Sequence, residues 1–234
     1  MRMNNIKLKY ESGKVMSEKV HQIGIIALGS HRENHGSALP IDTDSKIAAN
    51  VALNVATKTG ATFLGIFYGA TEYDYVKHGI HLKKEDLINN QIIPQLLNAK
   101  KLLNISKVII VNGHGGNNLI INEIKDISNK TGLKIVFNNS IIEKEGPHAC
   151  TGELSMGKVL GFVDEEKIIE HGNFDKNPEV GMVGLKLARE NEPIIDEEAR
   201  FIEKNGFKID EDIGRKLLDD AEKNIIESVK SLLD

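Results

Sequence analysis

Cysteine is almost absent. Cys150 stands alone, so the chain cannot close a disulfide on itself, and its chemistry suits a reducing, cytoplasmic setting. The amino-terminal stretch has no apolar run of secretory-signal length. Nowhere does the sequence approach the roughly 20 apolar residues a membrane helix needs. An excess of one charge is missing as well: 30 basic against 34 acidic residues leave −4. Without a basic stripe, nucleic acid is not an expected partner, and the surface reads as an ordinary solvated one. Internal repeats, low-complexity tracts and long polar linkers are also lacking. Residues 1–234 are therefore expected to form one domain, long enough to bury a core without cross-links.

Strand and helix patterns alternate along the chain. Residues 23–28 are a continuous apolar run, the signature of a parallel strand buried on both faces. A loop over 29–43 leads to a helix over 45–59 that stops before Gly60, with Ile47, Val51, Leu53, Val55 and Ala56 as core contacts. A second strand is expected at 62–68 and a loop at 69–83. The helix pattern at 84–103 offers Ile88, Ile92, Leu96, Leu97 and Leu102 to the core, with Pro94 expected to kink or interrupt it. Residues 107–111 give the clearest strand. A helix over 117–130, a strand at 133–138, a helix at 151–161 and a long amphipathic helix at 209–233 complete the pattern. The segment 172–208 is the least readable: it mixes glycine, asparagine, proline and charge, and part of it suggests a flexible flap. Alternation of this kind predicts an α/β fold with a mostly parallel sheet covered on both faces.

Three segments carry candidate chemistry. The first runs from Glu33 to Asp44. Glu33 and His35 are two residues apart, so in an extended segment both side chains point the same way. A carboxylate and an imidazole converging from one side make half a metal site. Gly36 and Pro40 can turn the chain to bring Asp44 back. Alternatively, Thr43 or Asp44 simply caps the next helix. The second segment is Asn112-Gly113-His114-Gly115-Gly116-Asn117, at the carboxyl end of the clearest strand, where ligand sites of open α/β sheets gather. Its glycines either cradle a phosphate or leave room for His114 to face a metal, and it matches neither common nucleotide-loop pattern. The third runs from His148 to Ser155 and offers His148 and Glu153, which meet if the histidine lies in a loop and the glutamate in the first turn of a helix. Cys150 lacks the local signatures of a cysteine-protease nucleophile.

Taken together, these segments resemble the creatininase family of metal-dependent amidohydrolases, which shows Glu-x-His-Gly…Leu-Pro…Asp, then Asn-Gly-His-Gly-Gly-Asn, then His-Ala…Glu-x-Ser. The likeness runs over roughly residues 23–162. It implies a three-layer α/β/α sandwich. It implies two divalent ions per subunit, Fe(II) favoured and Zn or Mn as alternatives, with Glu33 and His114 on one, His35 and Glu153 on the other, and Asp44 bridging. His148 and Glu153 would stand closest to the chemistry, His148 protonating the departing amine. Within the family, the stretch from Asn34 to Asp44 is most similar to an archaeal subgroup that removes formate from a ribosylated formylaminopyrimidine nucleotide on the way to riboflavin and a deazaflavin coenzyme. The substrate implied is that small molecule, and the assembly a homo-oligomer, dimer or hexamer.

Departures from the family pattern narrow the reading. Ala38 replaces a second histidine, two residues (His31 and Arg32) precede Glu33 where one is usual, and His78-Gly79-Ile80 replaces the substrate-loop Pro-Gly-Thr. Gly116 takes the place of a glutamate that binds the second metal in creatinine hydrolases, which makes Glu153 the natural substitute. Arg32, Lys77 and the Gly115–Gly116 loop are candidates for holding a substrate phosphate. The alternatives are a hydrolase of another cyclic amide or a short peptide, and a non-catalytic metal- or nucleotide-binding module.

Overall fold

The structure is a computed structural model and describes residues 7–234; the first six, part of the stretch searched for a signal, lie outside the described residues. Four parallel strands form one sheet in the order β2-β1-β3-β4. The central pair, β1 (Ile23–Leu28) and β3 (Lys107–Asn112), pair in register from Ile23 with Lys107 to Leu28 with Asn112. Both are covered on two faces, which is why they read as unbroken apolar runs. The edges are β2 (Thr62–Ile66) and β4 (Lys134–Asn138).

The helices follow in chain order: α1 (Thr43–Thr59), α2 (Lys84–Leu87), α3 (Ile93–Leu103), α4 (Ile124–Thr131), α5 (Ile142–Glu145), α6 (Thr151–Leu160), α7 (Ile168–His171), α8 (Lys186–Asn191), α9 (Pro193–Asn205) and α10 (Glu211–Leu233). The two-residue period of the strands divides the core. Ile23, Ile25, Ala27, Ile109 and Val111 pack with Ile47 and Val51 of α1, Met156 of α6 and Ile225 of α10. Ile26, Leu28, Val108 and Ile110 pack on the opposite face with Leu87, Leu96 and Ile127. The result is the three-layer sandwich, helix on sheet on helix. A smaller apolar cluster, including Ala38, Cys150, Leu154, Val180 and Ile202, ties the loop after β1 to α6 and α9. No described helix is long and apolar enough to cross a membrane.

The structure corrects several expectations. The 84–103 pattern is helical and interrupted, as expected, but by a π turn at Ile88–Ile92 that separates α2 from α3 and leaves Pro94 in the first turn of α3, where its missing N–H does no harm. Its core contacts differ from those expected. Leu96 and Ala99 face the core, while Leu97 and Leu102 are exposed. Leu53 of α1 is exposed too, on the face away from the sheet. Between β3 and α4 the chain first forms a 3-10 segment, Gly115–Glu123. The segment 172–208, expected in part as a flap, contains α8 and α9 and a short turn at Val180–Met182.

Ile110 is fully buried at the centre of the second core face. Ile110→Ala is expected to lower unfolding stability by about 3 kcal/mol, read as a lower urea midpoint with unchanged slope.

Candidate metal centre

Two glycines decide where the centre forms. A Cβ on Gly29 would lie 2.6 Å from the main-chain carbon of Asp44, and one on Gly113 would lie 2.8 Å from the Asp44 carbonyl oxygen. With glycine at both places, the first turn of α1 presses onto the carboxyl ends of β1 and β3 together, and Asp44 enters the space between them. The segment after β1 is extended and pinned: Asn34 N–H donates to the His78 carbonyl (2.8 Å), Glu33 N–H to the Ile41 carbonyl (3.1 Å), and Glu33 forms an isolated antiparallel bridge with Gly79. Glu33 and His35 therefore point inward side by side. After β3, the motif's asparagines are spent on holding their own loop. Asn112 Oδ1 accepts from the His114 N–H (3.2 Å) and from Asn117 Nδ2 (3.0 Å), while Asn117 Oδ1 accepts from the Thr71 N–H (3.0 Å). His114 is presented between them. On the third segment Ala149 is in the left-handed region at φ 54, a strained place for a side-chain-bearing residue, and its N–H donates to Glu153 Oε1 (3.1 Å).

All six residues singled out from the sequence are brought together. His35 Nε2 lies 2.8 Å from Asp44 Oδ1 and 3.3 Å from Glu153 Oε2. His114 Nδ1 lies 2.9 Å from Glu33 Oε2 and 3.0 Å from Asp44 Oδ2. His148 Nδ1 lies 3.5 Å from Glu33 Oε1 and 3.7 Å from Glu153 Oε1. The outer nitrogen of each ring is tied to a main-chain carbonyl: His35 Nδ1 to Glu33 O (3.0 Å), His114 Nε2 to Thr71 O (3.2 Å) and His148 Nε2 to Asn34 O (2.9 Å). This is how metal-ligating histidines are held, one N–H donated outward and the other nitrogen free to face a cation.

The residues fit a metal. Asp44 Oδ2 and Glu153 Oε2 are buried with no hydrogen-bond donor directed at them, which is costly unless a cation is supplied. Glu33, His35 and Asp44, and separately His35, His148 and Glu153, each bring their ligand atoms within 4.8 Å of one another. Mixed imidazole and carboxylate donors suit Fe, Zn or Mn.

The charges are strongly coupled. Burial opposes ionisation of Glu33, yet His114 and His78 overrule it and hold the carboxyl well below the usual range. Burial and then Glu33 push Asp44 up, but its two histidines bring it down on balance. Burial would also keep His35 neutral, but Asp44 and Glu153 raise it to about 10. His114 is raised well above its ordinary value, by Glu33 and Asp44 against burial. Burial dominates at Glu153, lifting it to about 7, and at His148, lowered to about 3 by burial and then the charge of His35.

Sequence reasoning missed the loop between β2 and α2. His78 Nε2 bonds Glu33 Oε1, His81 Nε2 approaches Glu33 Oε2 at 3.4 Å, and Glu72 Oε2 lies 3.4 Å from His114 Nε2. Two histidines three apart, His78 and His81, were the available signal. A cavity of about 350 Å³ opens over the centre, with Glu33, Asp44, His114, His148 and Glu153 on its floor. Met182, Ile194 and Ile195 from the 172–208 segment form an apolar wall. Of the phosphate candidates, Gly115 and Gly116 line this cavity, whereas Arg32 and Lys77 are exposed and do not.

A parallel sheet wrapped by helices, with histidines and carboxylates buried at its carboxyl edge and close enough together to hold a cation, defines the class: an α/β/α protein with a candidate metal centre. The chain belongs to the creatininase family: the family description, creatinine amidohydrolase, matches residues 12–229. It is 73% identical over 233 residues, 100% of both chains, to the 2-amino-5-formylamino-6-ribosylaminopyrimidin-4(3H)-one 5′-monophosphate deformylase of Methanosphaera stadtmanae. It is 52% identical to the deformylase of the same name from Methanothermus fervidus, over 99% of this chain and 93% of that one. Among solved structures it is similar to a mutant creatininase of the Zn-Zn type, with a TM-score of 0.62, 13% identity and coverage of 89% and 90%. A second crystal structure of creatinine amidohydrolase gives 0.61 at 17% identity over 89% of each chain. At such identities the likeness is one of fold.

Because His35 and His114 hold protons in the metal-free protein, a cation has to displace them. The expected outcome is an affinity for Zn or Mn that rises with pH up to about 10, with proton release visible by calorimetry in buffers of different ionisation enthalpy. The stability linkage has the opposite sense: the His35 contribution is full below its unfolded value near 6.5 and fades as pH climbs through about 10. An affinity flat between about pH 6 and pH 9 would contradict this proton balance.

Proposed function

We propose that this chain is a metal-dependent deformylase. It hydrolyses the formamide of 2-amino-5-formylamino-6-ribosylaminopyrimidin-4(3H)-one 5′-monophosphate to formate and the aminopyrimidine nucleotide, in riboflavin and deazaflavin coenzyme synthesis. The observation that carries this reading is 73% identity along the whole of both chains with a protein of that name. We assign one ion to Glu33 and His114 and another to His35 and Glu153, with Asp44 between them. The arrangement of Asp44 supports this, since Oδ1 faces His35 and Oδ2 faces His114. Fe(II) is favoured, with Zn or Mn as alternatives. Residues 1–234 are taken as one domain of a cytoplasmic homo-oligomer, dimer or hexamer, which light scattering would distinguish.

When bound, such ions polarise an amide carbonyl and acidify a water. The chain's own groups orient and supply protons. Water oxygen bonds to the formyl carbon, the C–N bond breaks, and a proton must reach the departing nitrogen. His148 Nδ1 is the atom placed for that transfer, because Nε2 is committed to the Asn34 carbonyl. Burial and then the charge of His35 hold His148 down to about 3, so Nδ1 is unprotonated and can take the proton that the attacking water gives up before passing it to the departing nitrogen. The apolar wall of Met182, Ile194 and Ile195 limits water around the scissile bond.

One observation favours a second reading, hydrolysis of an uncharged cyclic amide or a short peptide. Among the described residues that line the cavity there is no lysine or arginine, and Glu145, Glu192 and Glu198 add to its carboxylates. A phosphate is therefore expected to point to the mouth and not the floor.

Protein purified anaerobically and loaded with Fe(II) should release formate from the formylaminopyrimidine nucleotide. Turnover of creatinine or small peptides in its place would transfer the assignment to the second reading, and metal-loaded, folded protein that gives no formate would sink the deformylase. Asp44→Ala should empty both ion positions; full occupancy by elemental analysis in that variant would refute the bridge.

A further inference from the structure

We propose that Glu72 and His81, from the loop between β2 and α2, are ligands of the ion position shared by Glu33 and His114. The proposal rests on the metal-dependent reading of the same site, and with Asp44 it gives that position three carboxylates and two imidazoles.

The loop is fixed at both ends. Thr71 bridges Leu82, Glu33 bridges Gly79, and the N–H of Ile80 donates to the Arg32 carbonyl (2.8 Å). The side chains of residues 72, 78 and 81 are thus delivered to one place by main-chain pairing. Around Glu33 the two carboxylate oxygens have different company. His78 bonds Oε1. Oε2 faces His114 at 2.9 Å and His81 at 3.4 Å, the two rings stacked at 5.0 Å between centroids and 11° between planes. Glu72 closes the group. Its Oε1 accepts from the Tyr73 N–H (2.7 Å), which orients the carboxylate and brings Oε2 beside the His114 ring, 3.4 Å from the outer nitrogen Nε2. Glu33, Glu72, His81 and His114 each bring a ligand atom within 4.8 Å of the others.

Gly116 lies tight against the same loop. A Cβ there would meet Glu72 Oε1 and the Thr71 carbonyl oxygen, each at 2.5 Å, and His114 Nε2 at 2.7 Å. The carboxylate of Glu72 fills the space beside His114 that a side chain at position 116 would take. With three carboxylates and two imidazoles, the position suits Fe(II), Mn or Zn and not the all-oxygen shells of Ca or Mg. The competing explanation is that His81 only bonds Ser30 Oγ (3.1 Å) and Glu72 only caps Tyr73.

The test uses the full chain loaded with Zn, with ions per chain measured after gel filtration and release followed with a chromogenic chelator. Glu72→Gln and His81→Gln should each lose one of the ions held by the unaltered protein, or release it at least about tenfold faster, a loss on the scale known for groups around a metal. Unaltered protein that binds no metal overturns the whole metal reading. Unaltered protein that binds, with both variants folded and matching its stoichiometry and release rate, overturns only the role of Glu72 and His81. Should a variant fail to fold, zinc-edge X-ray absorption of the unaltered protein decides. A third histidine ring that persists when His148 is replaced in His148→Gln supports the proposal, and two rings, those of His35 and His114 alone, overturn it.

Discussion

The close approach of α1 to the ends of β1 and β3 is the contact on which the centre depends. It needs no side chain at positions 29 and 113, because a single methyl at either would fall within 2.6–2.8 Å of main-chain atoms of Asp44. Given that approach, Asp44 lies between the segment that carries Glu33 and His35 and the loop that carries His114. The core beneath serves the same end. Ala48 and Val51 of α1 pack against the alternating face of β1 and β3, so the helix cannot retreat without opening apolar surface worth about 25 cal/mol for each Å².

That contact concentrates buried charge. Glu33, Asp44 and Glu153 are all withdrawn from water, a situation tolerated only with compensating partners. In the metal-free chain the partners are protons on His35 and His114, which is why both imidazoles are raised while Glu33 is lowered. The main-chain carbonyls of Glu33, Thr71 and Asn34 fix the outer nitrogens of the three rings and leave the inner ones among carboxylates. The proton is a poor permanent occupant of such a place, since Asp44 Oδ2 and Glu153 Oε2 still find no donor directed at them. The geometry is organised for a charge that can meet several oxygens at once.

Much of this grouping was legible because the candidate ligands lie in short segments at strand ends, where apolar runs give way to glycine and polar residues. Glu33, His35, Asp44 and His114 could be placed by that pattern, and His148 with Glu153 by the likeness of their segment to a family pattern. The strands were readable for the same reason: 107–111 as expected lies within Lys107–Asn112 as found. The failures have physical causes. Leu97 and Leu102 look apolar enough for the core, but Leu97 lies about 100° round α3 from the buried Leu96, and both face solvent. Glu72, His78 and His81 arrive through single-residue bridges, which leave no periodic trace in a sequence. The 172–208 segment looked loose because its glycines and prolines fall between helices; α9 itself begins on Pro193, a favoured first helical residue.

The cavity sets an apolar surface against the charged centre. Its floor is made of acids and histidines and its far wall of Met182, Ile194 and Ile195, so a flat, polar heterocycle has an apolar surface to lie against while its amide faces the centre. An anionic substrate and an acidic cavity are at odds only while the carboxylates keep their charge uncompensated. Divalent ions among Glu33, Asp44 and Glu153 would change the sign of that contest at short range, where low dielectric makes it strongest. Cation loading would then act on substrate entry as well as on bond breaking. The acids further out, Glu192 and Glu198, belong to the segment that forms the wall, and Glu192 is engaged by the hydroxyl of Tyr75. That contact joins the wall to the same loop that carries Glu72 and His81, so the loop that approaches the ion position also anchors the cover of the cavity.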